Sequence, residues 1–257
     1  MFRRTTLENS QMTFGEHLEE LRTRLWLAIG GVAVALVVCL IFGRPLVNFL
    51  KAPVIEALKK VGSDRTRLVA INVTDAFMVY VKVALIAALF VGSPWIAYQL
   101  WRFVASGLYP HERKYVYVFA PVTLVLFIAG CTFSYLVLVR YGIRFLIAFG
   151  MKMDIDPMLR IDTTLMFVLV LSLVMGVVFQ LPLVMLILVQ IHVFESKTFV
   201  KKRKIFIIVA LTLAAIITPT QDPINLALAT GPLLVLYEIG IWISRTAERR
   251  RSKRLAG

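Results

Sequence analysis

Six apolar runs, separated by short charged stretches, organise the chain: Leu25 to Gly43, Ala76 to Tyr98, Tyr115 to Val139, Thr163 to Ile191, Ile205 to Thr218 and Ile224 to Ile243. A helical residue rises about 1.5 Å, so crossing about 30 Å of hydrocarbon takes roughly 20 residues. The first four runs meet or nearly meet that length. The fifth spans only about 21 Å and is closed off by Pro219, Asp222 and Pro223. It reads as a short spanning hairpin with the sixth run. The connecting TPTQDP carries no Lys or Arg and costs little to translocate, and local bilayer thinning relieves the mismatch. The pattern predicts an all-α, polytopic membrane protein with six transmembrane helices, the last two short. One membrane domain covers 1–257: a charged N-terminal helix (1–24), a six-helix bundle (25–243) and a basic tail (244–257).

Composition agrees with that class. A hydrophobic share of 59% is too high for a soluble domain. The net charge of +14 could suggest nucleic acid, but the basic residues punctuate the apolar runs and form no separate domain with stacking aromatics. With six spans both termini share a side, and that side holds 18 Lys and Arg against 10 opposite. The bias predicts cytoplasmic termini, although the first loop alone contributes six to the other side. The tail ERRRSKR fits an anchor against anionic lipid. Cys39 and Cys131 lie in different apolar runs and read as small packing residues, with no disulfide framework. No cleavable signal peptide is expected, and Arg3-Arg4 reads as part of a charged tail.

Two charged segments carry the candidate chemistry. The first is FGEHLEELRTRL, Phe14 to Leu25. Thr13 and Glu16 have capping-box spacing, so a helix should begin near Thr13. At 100° per residue Leu18, Leu21 and Leu25 share one face, Glu16, Glu20 and Thr23 lie roughly opposite, and Arg22 flanks the leucines. The carboxylates are thus expected to face away from the apolar anchor. The second is QLWRFVASGLYPHERKYV, Gln99 to Val116. Gly107 and Pro110 break the helix, and Pro110 with Glu112 suits the start of the third span. The span count puts Glu112 on the same side as Glu20, with Phe103 nearby as an apolar wall.

These two segments resemble the signatures of the TatC family of the twin-arginine protein translocase. Further similarity occurs at KAPV (Lys51 to Val54), TDAFMVYVK (Thr74 to Lys82), FQLP (Phe179 to Pro182), ITP (Ile217 to Pro219) and YEIG (Tyr237 to Gly240), over nearly the whole chain. The resemblance implies a receptor for twin-arginine signal peptides of folded proteins, with Glu20, Arg22, Phe103 and Glu112 as contacts. Paired arginines present two planar forks, each matched best by a carboxylate, whereas lysine offers only a point charge. The resemblance also implies recruitment of the single-span partners TatA and TatB along the fifth and sixth helices, a homo-oligomeric receptor complex and transport driven by the proton motive force. Thr218 matches a polar contact position there, and Asp222 in the tight turn is placed to cap the sixth helix. Two positions depart from the family pattern: Leu226 replaces a frequent glutamine, and Arg140 a frequent proline.

Polar groups inside apolar runs are costly and call for roles. Gln180, just before Pro182, can bond carbonyls freed by a kink, and as an amide it cannot relay protons. Lys82 lies seven residues beyond Asp75 on the same helical face, within snorkelling reach of the surface. Glu238 must find a donor, water or a proton. A secondary transporter using Lys82, Gln180 and Glu238 is the alternative function. No enzyme activity, cofactor or metal is expected, since there is no phosphate-binding glycine loop, no HExxH and no Cys/His cluster at metal spacing. His17, His111 and His192 are far apart and read as surface histidines.

Overall fold

The computed structural model describes residues 14–61, 68–107, 114–153, 158–191, 193–217 and 223–255. The described helices are α1 (Phe14–Ile41), α2 (Gly43–Val61), α3 (Asp75–Gly107), α4 (Lys114–Phe133), α5 (Arg140–Met151), α6 (Ile161–Val178), α7 (Leu181–Gln190), α8 (Ser196–Lys201), α9 (Arg203–Ile217) and α10 (Pro223–Leu255). A π-helical turn, Ser134–Val139, joins α4 to α5. Among the described residues the extended pairing is one isolated bridge, Val69 to Arg160. Five helical stretches are long and apolar enough to cross a membrane: Gly15–Ile41, Asp75–Gly107, Val116–Met151, Ile161–Gln190 and Leu226–Arg249. The protein is thus an all-α, multi-pass membrane protein. Its α9, with 15 residues, reaches only about 22 Å, so the fifth run is as short as its sequence reads.

Helix α6 forms the centre. Leu165, Val168, Leu169, Leu171 and Met175 are buried against residues of α2, α3 and the π turn with α5. Beside this core, α1 packs along α3 through small side chains. Ala35 and Cys39 on α1 meet Ala84, Ala87 and Ala88 on α3. Without a hydrophobic drive between helices in lipid, small residues let backbones approach closely and gain dispersion contact. Gly31 continues the seam, because a Cβ there would come within 2.1 Å of the Trp95 ring. That indole donates to the Leu27 carbonyl at 2.8 Å, and the Tyr80 hydroxyl donates to the Leu40 carbonyl.

Prolines inside these helices remove an amide donor from the carbonyl four residues earlier. Two such carbonyls find replacements. Pro53 frees the Phe49 carbonyl, which accepts from the Tyr135 hydroxyl at 2.6 Å. Pro94 frees that of Phe90, which accepts from Ser93 Oγ at 2.7 Å. Both helices therefore run through their prolines.

Three boundaries differ from the sequence expectation. The stretch read as the first loop begins with α2, an amphipathic helix that buries Leu50, Val54, Ala57 and Leu58 and exposes Arg44, Lys59 and Lys60. Arg44, Lys51, Glu56, Lys59 and Lys60 interrupt its apolar residues, so it forms no continuous apolar run. The third helical stretch does not end at Val139. It continues through the π turn into α5, where Arg140 pairs with Glu56 of α2 at 2.5 Å. The final helix likewise does not end at Ile243, because ERRRSKR is built of helix formers, and α10 runs to Leu255.

Glu56 also pairs with Lys60 at 2.7 Å. The Lys60 hydrogen bond first, and then the Arg140 charge, hold its carboxyl below the usual carboxylate range. A depressed folded value stabilises above the unfolded value of about 4.3 and stops doing so as pH falls through the folded one. Glu56→Gln should therefore lower the melting temperature in detergent at pH 7, and that difference should close on acidification below about pH 4. A second expectation compares neighbours. Gly31→Ala, which drives a methyl into Trp95, should cost about 1–3 kcal/mol. Gly30→Ala should be neutral or slightly stabilising, since nothing lies within 4 Å of a Cβ there. Equal melting temperatures for the two would contradict the seam.

Candidate functional site

The α1–α3 seam continues beyond its alanines to a polar end. His17, Glu20, Arg24, Ala28, Gly31, Ala35 and Cys39 form one stripe of partly or fully covered residues on α1, while Leu18, Leu21 and Leu25 are exposed. The expectation that the carboxylates face away from the anchor is corrected in this respect. Glu20 turns inward toward α3, and the leucines point outward. A membrane helix can present its polar face to protein and its apolar face to lipid, the inverse of a soluble helix.

Glu20 accepts a hydrogen bond from Arg24 Nε on Oε1 at 2.7 Å, and Arg24 Nη2 makes an ion-pair contact with the same oxygen at 2.7 Å. The Arg24 and Glu20 side chains are only 18% and 24% exposed. Arg24 Nη1 reaches Oε1 of Gln99 on α3 at 3.3 Å, and Gln99 itself is 2% exposed. One turn nearer the end of α3, Phe103 stacks on His17 with centroids 4.5 Å apart and planes inclined by 25°. A Cβ at Gly107 would lie 3.1 Å from His17 Cε1. His17 is thus no free surface histidine; its ring covers one side of Phe103. Arg22 is exposed beside this cluster. The structure therefore brings Glu20 and Phe103 to the same end of one helix pair. Glu112, Thr218 and Asp222 lie outside the described residues, as do His111 and His192.

The polar groups within the runs do not converge. Gln180 occupies the two-residue break between α6 and α7, and its Nε2 donates to the Thr123 carbonyl at 3.0 Å and to the Gly176 carbonyl at 3.5 Å. The Gly176 carbonyl is available because the Gln180 amide bonds Val177 instead. Gln180 thus serves the kink as its sequence position suggested, and its Oε1 is enclosed without a hydrogen-bond partner. Thr123 in turn accepts from Trp101 Nε1 at 2.9 Å, so α3, α4 and the kink are tied together.

Glu238 finds its donor in Arg203, the first residue of α9, at 2.6 Å, with side chains 52% and 43% exposed. Next to it, the Tyr237 hydroxyl donates to the Phe199 carbonyl at 2.8 Å. The Tyr237 ring stacks on Phe206 at 3.9 Å. Gly240 completes the YEIG motif, because a Cβ there would meet Met185 Sδ at 2.5 Å and Pro182 Cα at 3.2 Å. The motif is a joint fastening α10 to α7, α8 and α9. Lys82 is exposed on α3, one turn above Val79 and remote in chain from both other groups.

Sequence reasoning missed His17, Arg24, Gln99 and Arg203. Arg24 carried a readable signal, a Glu-to-Arg pair spaced i to i+4. Gln99 and Arg203 carried none, since their partners are far away in sequence.

The comparisons with known proteins agree with this architecture. The model of the TatC family, the Sec-independent protein translocase protein, matches residues 16–232. The "Sec-independent protein translocase protein TatC" of Carboxydothermus hydrogenoformans is 37% identical over 239 residues, covering 93% of this chain and 95% of that protein. TatCy of Bacillus subtilis is 35% identical, covering 97% and 95%. A solved structure described as the twin-arginine translocase receptor TatC superposes with a TM-score of 0.82 at 30% identity, covering 91% of this chain and all of that one. The chain belongs to the TatC family and is a core subunit of the twin-arginine, Sec-independent protein translocase.

Proposed function

We propose that the protein is the signal-peptide receptor of the twin-arginine export system, engaging paired arginines through Glu20 and Glu112 with Arg22 and Phe103 as flanking contacts. The observation that carries this reading is the shared rim: Glu20 and Phe103 stand together where α1 meets the end of α3. Glu112 follows Gly107 by only five residues in the chain, which supports reading it as the second carboxylate of the pair. Two separated acids suit two adjacent guanidinium forks.

In this reading both termini are cytoplasmic, in the inner membrane, and α9 with α10 makes a thin six-span bundle. TatA and TatB pack along these two helices near Thr218 and Asp222. On α9 the exposed Ile208, Val209 and Ile216 offer an apolar face, whereas Ala210 and Ala214 are buried. The protein works as a homo-oligomer, with energy drawn from the proton motive force. The transporter alternative needs Lys82, Gln180 and Glu238 to act as one site. With Glu238 held by Arg203 and Gln180 by Thr123, no observation favours it.

Binding of a fluorescent twin-arginine signal peptide to the purified protein tests the proposal. Glu20→Ala or Glu112→Ala should each weaken binding by about 1.5–3 kcal/mol, the worth of a charged hydrogen bond. A twin-lysine peptide should bind more weakly than the twin-arginine one to the unaltered protein. Equal affinities throughout would reject the contact set.

A further inference from the structure

We propose that Arg24 is a resident guanidinium: it occupies Glu20 while no signal is bound, and so sets which cations can claim that carboxylate. The inference rests on the reading of Glu20 as a signal contact. Its basis is the way Arg24 is held. Two of its nitrogens converge on Oε1 of Glu20 at 2.7 Å, and the third faces Oε1 of Gln99 at 3.3 Å. An ordinary helix-stabilising pair would involve α1 alone. Here the arginine also reaches a buried, neutral acceptor on the neighbouring helix.

The arrangement has two consequences. An arriving cation meets a carboxylate already half satisfied, because both Arg24 contacts, one hydrogen bond and one ion pair, fall on the same oxygen, and it meets the charge of Arg24 beside it. A carboxylate accepts at both oxygens, so a newcomer must bond Oε2, displace Arg24, or do both. A guanidinium brings two parallel donors and can hold the acid in plane; an ammonium brings a hydrated point charge and gains less. The resident arginine therefore penalises lysine more than arginine. Displacement is also made easier, because Gln99 gives the released guanidinium an acceptor and its charge is not stranded without one. Arg24 thus acts as a specificity-determining residue: it makes binding weaker in absolute affinity and stricter in selection.

Titrating unaltered protein, Arg24→Gln and Glu20→Gln with twin-arginine and twin-lysine peptides tests this. Arg24→Gln is expected to tighten the twin-lysine peptide by roughly 3- to 10-fold and the twin-arginine peptide by less, narrowing the ratio between them. Arg24→Lys, which keeps the charge and loses the fork, should shift the ratio the same way by a smaller factor, and stands in should the glutamine variant not fold. A structural strut would give the opposite result: weaker binding of both peptides, or an unchanged ratio, would overturn the inference. The two readings fail separately. If Glu20→Gln leaves twin-arginine binding intact, the receptor contact itself is wrong. If Glu20→Gln abolishes binding while Arg24→Gln leaves the ratio unmoved, only the role of Arg24 falls.

Discussion

Close contact between α1 and α3 is the constraint from which the rim follows. Ala35, Cys39, Ala84, Ala87 and Ala88 bring the two backbones together, and Gly31 leaves room for the Trp95 ring. Because the helices stay in register along this seam, the stripe that is apolar at Ala35 becomes polar at Arg24 and Glu20 without changing face. Arg24, paired with Glu20, is thereby set against Gln99, and His17 against Phe103. A larger side chain in the middle of the seam would tilt α1 and separate the groups at its end, several turns away.

The rest of the bundle holds that pair and adds a second, looser unit. Helix α6 packs beneath α3, and the Gln180 kink with Trp101 and Thr123 fixes α4 and α7 relative to it. The joint at Tyr237, Glu238 and Gly240 attaches α10 to α7, α8 and α9. At the other end, α2 and α5 form a cap tied by Arg140, Glu56 and Lys60. Within the spans, the contacts of Gln180 and Trp101 satisfy polar groups that lipid could not. In the proposed reading, function belongs to the end of the bundle where α1 meets α3 at Glu20 and Phe103.

Much of this was legible in the sequence, for physical reasons that can be named. The apolar runs announced the helices, and the position of Gln180 before Pro182 announced the kink, because both depend on local chemistry. The face assignment of α1 was misread, since periodicity alone cannot tell whether lipid or protein receives the leucines. The α2 helix was counted as loop because its charged residues interrupt the apolar pattern, and the lost amide of Pro53 within it is compensated by Tyr135, a residue 82 positions away. Likewise the donor for Glu238 could not be foreseen, because Arg203 stands at the head of a different helix. Long-range partners are what a single sequence withholds.

The most direct measurement maps where the arginine pair of a signal peptide sits. A photo-reactive group placed beside those arginines, followed by identification of the labelled residues, should mark α1 near Glu20 and α3 near Phe103 from the same peptide position. Labelling confined to one of these helices, or to the opposite end of the bundle around Glu56, would contradict a receptor built on the α1–α3 rim.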